Sequence, residues 1–545
     1  MSTPDWIILI TTLCSIILYG IYKSTHTKNL DGYFLSNNSM PWYIVLLSIM
    51  GTQASAITFL SAPGQAYTDG MRFVQYYFGL PIAMVVISIF FVPVFKKLKI
   101  YTAYEFLETR FDVKTRSLTA ALFLISRGLS TGISIYAPSI ILSSLLGWNI
   151  YYTNLMMGGL LIIYTMSGGA KAVAYTQQLQ LIIIITGMFL AGYMVVTLLP
   201  AGMGFSEALK SAGQAGKMNI ITSGTDANGF DWKDKYNMWS GVIGGFFLAL
   251  SYFGTDQSQV GRYLTSKNEK ESRIGLLMNG LIKVPMQFLI LIVGVLVFSF
   301  YQHHKAPIYF DEVKVVAAKK TMYKDSLQRV ENDYAIAIES GNVKAADEQR
   351  KNYKILLKKA LPGDDANDTN FIFLRFVIDN LPKGLVGLLI AVIFLAAWGS
   401  IAAALNSLAS CTVVDFHKKF INTNLNDKED YSIARWYTFG WGVFSVIIAM
   451  FAHNIGNSLI EAVNILGSLF YGVILGIFLV AFWIKKIQGN AIFIGAIISE
   501  VLVIVVYKID IVSFLWLNVI GALLVIIMSV FIQWIITLKS YSAIK

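Results

Sequence analysis

Polar residues crowd the middle of an apolar stretch between Pro41 and Tyr67 that is long enough to cross a bilayer. They are Gly51, Thr52, Gln53, Ser55, Thr58 and Ser61, and Pro63-Gly64 follows them. A helix that opens here exposes backbone carbonyls that lipid cannot satisfy, so the break must face a cavity lined by protein. This interpretation predicts a transporter-type binding site at an interrupted helix. The alternative is a polar patch packed on neighbouring helices.

A second stretch, Leu395 to Asn406 (LAAWGSIAAALN), offers oxygen atoms on a helix made of small residues. Small side chains alone favour close helix packing, which is the simpler explanation of this stretch. However, a dehydrated Na⁺ needs about five hard oxygen ligands. The hydroxyl of Ser400 and the carbonyl of Ala396, with carbonyls near Gly51 and Ala54, would nearly complete that shell. The two stretches together therefore predict a sodium site.

Two cationic residues, Arg127 and Lys283, stand inside apolar spans. Intramembrane cations are costly, and they usually face a wet cavity or a partner. Arg127 lies deep in its span, which leaves two interpretations, binding of an anionic solute or structural pairing. Lys283 lies nearer the end of its span, where its side chain could extend to the interface.

A further polar segment begins at Tyr252 and Phe253, where an apolar span reaches Asp256 and Arg262. We expect the two aromatic side chains to close a cavity from below. The short spacing of Asp256 and Arg262 predicts an ion pair at a helix end.

The composition is that of an integral membrane protein, because 56% of the 545 residues are hydrophobic and only 14% are charged. The net charge of +11 lies in short loops, which argues against a nucleic-acid partner. The two cysteines, Cys14 and Cys411, lie in apolar runs and form no metal motif. We find no phosphate-binding loop, metal triad or nucleophile elbow, so we expect no enzyme.

About thirteen apolar runs predict the membrane spans that position these residues. They cover 5–23, 41–66, 74–96, 117–146, 150–167, 178–199, 237–256, 273–301, 383–414, 432–452, 457–484, 490–507 and 511–538. Ser167-Gly168-Gly169 predicts a helix end between the fifth and sixth runs. Lys and Arg cluster in alternate loops, such as 96–116, 262–273 and 418–435. Positive loops face the cytoplasm, which predicts an outer N-terminus and a cytoplasmic C-terminus.

Two segments outside the membrane interrupt this pattern. Residues 200–236 are rich in Gly, Ser and Asn and predict an irregular outer loop. Residues 311–361 are polar and favour helix, with a turn at Ser340-Gly341-Asn342, so they predict a helical hairpin exposed to solvent. Passive decoration of an outer loop and docking of a partner both remain open for this hairpin.

Six motifs give the chain a resemblance to the sodium/solute symporter family, whose members carry sugars, proline, iodide, vitamins and sialic acid. In order they are YFLSNNSMPWY, TAYEFLETRF, SGGAKAVAYTQQLQ, FGTDQSQVGRYL, LPKGLVGLLIAVIFLAAWGSIAAALNS and GVILGIFLVAFWIKK. The resemblance implies an all-α, LeuT-like fold with two inverted five-helix repeats and a broken first core helix.

This resemblance divides the chain as follows. The expected parts are an N-terminal helix and cytoplasmic loop (1–40), a first repeat (41–199), an outer loop (200–236), a second repeat (237–484) with a hairpin insert (302–370), and two C-terminal helices (485–545).

The resemblance also implies a sodium site. Its carbonyl ligands fall on Gly51, Ala54 and Ala396, and its hydroxyl positions on Gly399 and Ser400. Gly399 departs from the pattern because it supplies no hydroxyl, so a water would have to replace one ligand. The acidic residue and serines of a second sodium site match Gln177, Ala402 and Ala403 here, so we expect one sodium ion per cycle.

The substrate positions of the family are carried over in the same way. Those of the sugar carriers fall on Thr58, Tyr77 and Ala249, which disfavours glucose and galactose. The sialic acid carriers are more similar, through Ser55, Thr58, Phe73 and Arg127. The whole expected substrate set is Gln53, Ser55, Thr58, Phe73, Tyr77, Arg127, Tyr252, Phe253 and Lys283.

The sequence therefore predicts a secondary active transporter that takes up a small organic solute, such as an anionic sugar acid, with Na⁺. A proton-coupled or uncoupled carrier on the same fold is the alternative, and a transporter-like membrane sensor is a third hypothesis. We expect a multi-pass protein of the inner membrane, monomeric, in contact with lipid, solute and sodium but not with nucleic acid.

Overall fold

The computed structural model describes residues 1–24, 30–227, 229–340, 342–422, 427–452 and 458–542, and helices dominate them. Within these residues, ten helices are long and apolar enough to cross a membrane. Three shorter apolar helices accompany them, at Trp42–Gln53, Ile150–Met166 and Ser240–Gly254. The all-α architecture agrees with the sequence, and the number of thirteen spans stays a prediction.

In the first part of the chain, the described residues form ten helices. They are α1 (Thr3–Ser24), α2 (Leu30–Leu35), α3 (Trp42–Gln53), α4 (Ala56–Asp69), α5 (Leu80–Val86), α6 (Val92–Leu98), α7 (Glu105–Arg110), α8 (Val113–Leu146), α9 (Ile150–Thr197) and α10 (Phe205–Gln214). A 3₁₀ segment, Gly70–Tyr77, follows α4, and a π-helical turn joins α5 to α6. The predicted helix end at 167–169 was wrong, because α9 continues through it. Glycine permits a helix end but does not force one.

The second part begins with a short antiparallel pair, β1 (Thr225–Asp226) and β2 (Gly229–Phe230). The helices are α11 (Gly245–Gly254), α12 (Gln257–Leu264), α13 (Glu269–His303), α14 (Glu312–Ala318), α15 (Lys324–Glu339), α16 (Val343–Ala360), α17 (Ile372–Asn380), α18 (Leu385–Cys411), α19 (Asp427–Phe451), α20 (Leu459–Trp483), α21 (Gly489–Ile509) and α22 (Phe514–Ser542). Segment 200–236 is thus more regular than predicted, because it contains α10 and the strand pair.

Helix α18 lies at the centre of the bundle, and 89% of its most apolar 18-residue stretch is buried. The small residues of this helix allow close packing on its neighbours. Its first turn is fixed by Asp5 of α1, whose Oδ1 accepts hydrogen bonds from the backbone N–H groups of Gly384 (2.6 Å) and Gly387 (3.2 Å). A carboxylate at this position satisfies free N–H groups and suits the helix dipole.

The basic loops meet at one end of the bundle. Lys96 donates hydrogen bonds to the carbonyls of Leu264 and Ser266, and Arg110 donates to those of Ala481 and Ile484. Loops that are far apart in sequence therefore share one face. This arrangement agrees with the alternation of charge in the sequence.

The polar segment predicted as a hairpin consists of α14, α15 and α16, and Gly341 of its predicted turn lies outside the described residues. These helices have a small apolar core separate from that of the bundle. Its buried members are Tyr309, Ala318, Leu327, Tyr353, Leu357 and Ala360. The segment therefore carries its own source of packing energy.

Candidate functional site

The helix break predicted near Gly51 and Ala54 is present. Helix α3 ends at Gln53, Ala54 has non-helical angles (φ −79°, ψ 75°), Ser55 is extended, and α4 begins at Ala56. The N–H of Ser55 bonds to the carbonyl of Gln53, and that of Thr58 bonds to Ser55. Within the fully described segment 50–58, the carbonyls of Gly51 and Ala54 therefore accept no backbone hydrogen bond. Such unpaired backbone carbonyls are what the predicted ion site requires at these two positions.

Helix α9 connects the break to α18 through the side chain of Gln177. Its Nε2 donates to Thr52 Oγ1 (3.1 Å) and to the carbonyl of Gly399 (3.0 Å), and its Oε1 accepts from Ser48 Oγ (2.8 Å). This amide is fully buried. The two stretches that the sequence pairs at a sodium site thus lie on either side of one side chain.

Ser400 lies one residue beyond this bridge and lines the central cavity. Its hydroxyl donates to the carbonyls of Ala396 (2.9 Å) and Ala397 (3.1 Å) within α18. The hydroxyl proton is therefore engaged, and the oxygen lone pairs stay available. At the positions matched to a second sodium site, Ala402 and Ala403 pack with Val173 in a small apolar cluster, which provides no oxygen ligand from these side chains.

The central cavity lies beside the helix break and has a volume of about 120 Å³. One buried water needs about 10–15 Å³ of such space, so the cavity admits a small solute. Of the predicted site residues, those that line it are Gln53, Ser55, Thr58, Tyr77, Arg127, Tyr252, Phe253 and Ser400. Tyr76, Asn464 and Tyr471 join them, and Tyr76 donates to Asn464 Oδ1 (3.1 Å).

Among the described residues that line the cavity, Arg127 is the only charged one, and it is paired. Its NH2 group donates to Asp256 Oδ2 and to the hydroxyl of Tyr471 (3.0 Å), which donates in turn to Asp256 (3.0 Å). The structural pairing considered for Arg127 is therefore present. The Nε of Arg127 has no hydrogen-bond partner within the described residues, and 12% of the side chain stays exposed.

The predicted ion pair of Asp256 with Arg262 was wrong. Asp256 caps α12 by accepting from the N–H of Ser258 (2.8 Å) and gives its other oxygen to Arg127. Arg262 is buried, and its Nε and NH1 have no partner among the described residues. The carboxylate of Asp256 caps the first turn of α12 and points into the bundle, where it meets Arg127. Proximity in the sequence therefore predicted the wrong partner.

The aromatic pair predicted to close the cavity lies at its edge. Tyr252 has the guanidinium of Arg127 over its ring at 5.3 Å, and its hydroxyl accepts from Gln259 (2.7 Å). The ring of Phe253 packs on that of Tyr252 with centroids 4.9 Å apart.

Two predicted substrate residues, Phe73 and Lys283, do not line the cavity. Phe73 is fully buried against Tyr76 and Tyr77. Lys283 is also buried, with its Nζ 5.8 Å from the ring centre of Tyr77 and no hydrogen-bond partner in the described part of the chain. Both residues therefore lie next to Tyr77, which lines the cavity, and their contact with solute stays a prediction.

Sequence reasoning missed the partners Tyr471 and Asn464 and the bridging role of Gln177. Gln177 and Gln180 are three residues apart and so share one helix face, a signal that could have placed both next to α18. No comparable signal links Arg127 to Tyr471, which is 344 residues away.

Comparison with known proteins gives concordant matches. A model of the sodium:solute symporter family matches residues 33–324 and 354–499. The sodium/sialic acid symporter SiaT of Proteus mirabilis is 26% identical over 527 residues, covering 96% of this chain and 93% of SiaT. The sodium/sialic acid symporter NanT of Aliivibrio fischeri is 26% identical over 536 residues, covering 96% and 92%. A solved outward-open, substrate-bound Na⁺-coupled sialic acid symporter superimposes with a TM-score of 0.79 at 24% identity, covering 98% of both chains.

Proposed function

Because this chain belongs to the sodium:solute symporter family, we propose that its solute is a carboxylated sugar of the sialic acid type, bound at Arg127. The chain is a multi-pass membrane transporter with Na⁺ as its coupling ion and the LeuT-like fold expected from its motifs. The two sialic acid symporters named above motivate the choice of solute. The inner membrane and the outward N-terminus expected from loop charge belong to the same proposal.

One observation carries the choice of an anion: the guanidinium of Arg127 lines the cavity, and its Nε has no hydrogen-bond partner among the described residues. A guanidinium presents five donors in a planar fork that suits a carboxylate. Asp256 and Tyr471 use only NH2 and hold the group in place. Donors therefore remain for the solute.

The charge balance of the cavity supports coupling to a single sodium ion. Arg127 and Asp256 together are neutral, so a lone anion would bring uncompensated charge into a poorly solvated site. A monovalent anion with one Na⁺ adds no net charge. We propose that Na⁺ binds to the carbonyls of Gly51, Ala54 and Ala396 and to Ser400, and that its charge favours entry of the anion.

Uptake into proteoliposomes tests the proposal. We expect N-acetylneuraminic acid to accumulate with an inward Na⁺ gradient, and its methyl ester, which lacks the anionic charge, to accumulate at least about tenfold less. Equal transport of the ester would contradict the role of Arg127. Uptake that persists after choline replaces Na⁺ would instead select the proton-coupled or uncoupled carrier.

A further inference from the structure

Gly399 lacks the hydroxyl expected at the sodium site, and a side chain of α9 lies in the space that this hydroxyl would need. A Cβ atom at position 399 would lie 2.5 Å from Gln180 Oε1 and 3.2 Å from Gln177 Cγ. Real Cβ atoms essentially never approach other atoms to 2.5 Å. The side-chain carbonyl of Gln180 therefore occupies the space in which a side chain at 399 would begin.

The neighbouring contacts place this oxygen beside the proposed ion ligands. Gln177, on the same face of α9 one turn earlier, bonds both to the carbonyl of Gly399 and to Thr52 on α3. Gly51 also lies against Gln177, since a Cβ there would be 2.9 Å from Gln177 Cβ. Three parts of the bundle thus meet at one place: the C-terminal end of α3, the middle of α18 and the face of α9 that carries Gln177 and Gln180.

Gln180 is not engaged in the way that Gln177 is. It is 2% exposed, and its Nε2 has no hydrogen-bond partner within the described residues. The hydroxyl of Tyr164 interacts with its side chain. A carbonyl oxygen has two lone pairs, with which Oε1 can bind a further ligand.

We propose that Gln180 Oε1 is the sodium ligand that Gly399 cannot supply. This assignment rests on the proposed function, because it completes the shell of Gly51, Ala54, Ala396 and Ser400. An amide carbonyl is a hard oxygen donor of the kind that such cations prefer. It is neutral, so it keeps the charge balance between one Na⁺ and one anion. Gly399 is then required by Gln180 rather than being a defect of the site.

The competing explanation is that Gln180 only fills space between α9 and α18. Methionine separates the two, because it is similar in length and flexible but lacks a hard oxygen. Gln178, on the same turn but only partly buried, provides the matched control.

The experiment measures the midpoint of thermal unfolding of the purified full-length protein against Na⁺ concentration, with choline keeping ionic strength constant. We expect Gln180→Met to raise the half-maximal Na⁺ concentration at least about tenfold. Gln178→Met should leave it within about twofold of the original. An unchanged sodium dependence in Gln180→Met would overturn the assignment.

A ligand swap keeps the test decisive if Gln180→Met does not fold. Gly399→Ser alone places Cβ against Gln180 and should weaken the sodium response. Gly399→Ser with Gln180→Ala removes that conflict and supplies a hydroxyl, so its response should recover relative to Gln180→Ala alone. A double variant no better than Gln180→Ala would also overturn the assignment. Absence of any sodium response in the unaltered protein would instead refute the proposed site as a whole.

Discussion

Two regions beside the central cavity differ in the chemistry with which they can hold charge. At the broken helix, between α3, α9 and α18, the polar groups are carbonyls, hydroxyls and amides, all neutral. At Arg127, the guanidinium and Asp256 form a buried ion pair completed by Tyr471. The first region can accept a cation without displacing another. The second is already compensated and has an unpaired donor.

This difference suits the ligand that we propose for each region. Neutral dipoles release a cation readily, because no opposite charge retains it, and a coupling ion must leave again in every cycle. An arginine alone in a poorly solvated cavity would be costly. Asp256 removes that cost while Arg127 keeps one unpaired donor, Nε. The comparison predicts a severe loss of stability when the charge of Asp256 is removed and a milder loss when a neutral group is removed at the broken helix.

The largest effect is expected from Asp256→Asn, which leaves Arg127 buried without its counter-charge. Breaking one partner of a buried pair destabilises by about 3–5 kcal/mol. Combining it with Arg127→Met should restore much of the free energy of unfolding, because both charges are then absent. Denaturant unfolding in detergent would measure this. A double variant as unstable as Asp256→Asn would show that the pair does not behave as a unit.

A smaller loss of stability is expected at the broken helix from Gln177→Leu, which removes the bridge between Thr52 and the carbonyl of Gly399. Unpaired buried groups cost about 1–3 kcal/mol. Gln178→Leu is the control on the same helix and should change the free energy of unfolding by less. If Gln177→Leu lowered the free energy of unfolding as much as Asp256→Asn does, the contrast between the broken helix and the Arg127–Asp256 pair would disappear.

The smallest effect is expected from Tyr471→Phe, which deletes the hydroxyl that links Arg127 to Asp256 but leaves both charges. Because the direct ion pair remains, we expect a loss of about 0.5–1.5 kcal/mol, the net contribution of a typical hydrogen bond. The midpoints of thermal unfolding of Tyr471→Phe and Asp256→Asn, measured under the same conditions, would rank the two losses of stability. A loss equal to that of Asp256→Asn would mean that the hydroxyl, not the carboxylate, holds Arg127.

Local composition predicted the helix break and the depth of Arg127, because both are properties of one short stretch. Gly51 to Ser61 are polar where lipid would demand apolar residues, and a cation in an apolar span must find a partner. The identity of that partner was not predictable. Arg262 is six residues from Asp256 and Arg127 is 129 residues from it, so spacing favoured the wrong arginine.

The role of Gly399 was beyond the sequence for a related reason. A missing hydroxyl is visible in the motif, and a water was the expected replacement. The oxygen that fills the space comes from α9, more than 200 residues earlier in the chain. Only the crossing of α9 and α18 reveals that Gln180 and Gly399 are a matched pair.

The insert formed by α14, α15 and α16 offers an experimental handle. The family match omits residues 325–353, and none of the described residues in this range lines the central cavity. Met322, just before this segment, is 85% exposed, and the chain has only two cysteines, of which Cys411 is buried. With Cys14 replaced, a thiol at position 322 is a single attachment point for a fluorophore that leaves the solute path untouched.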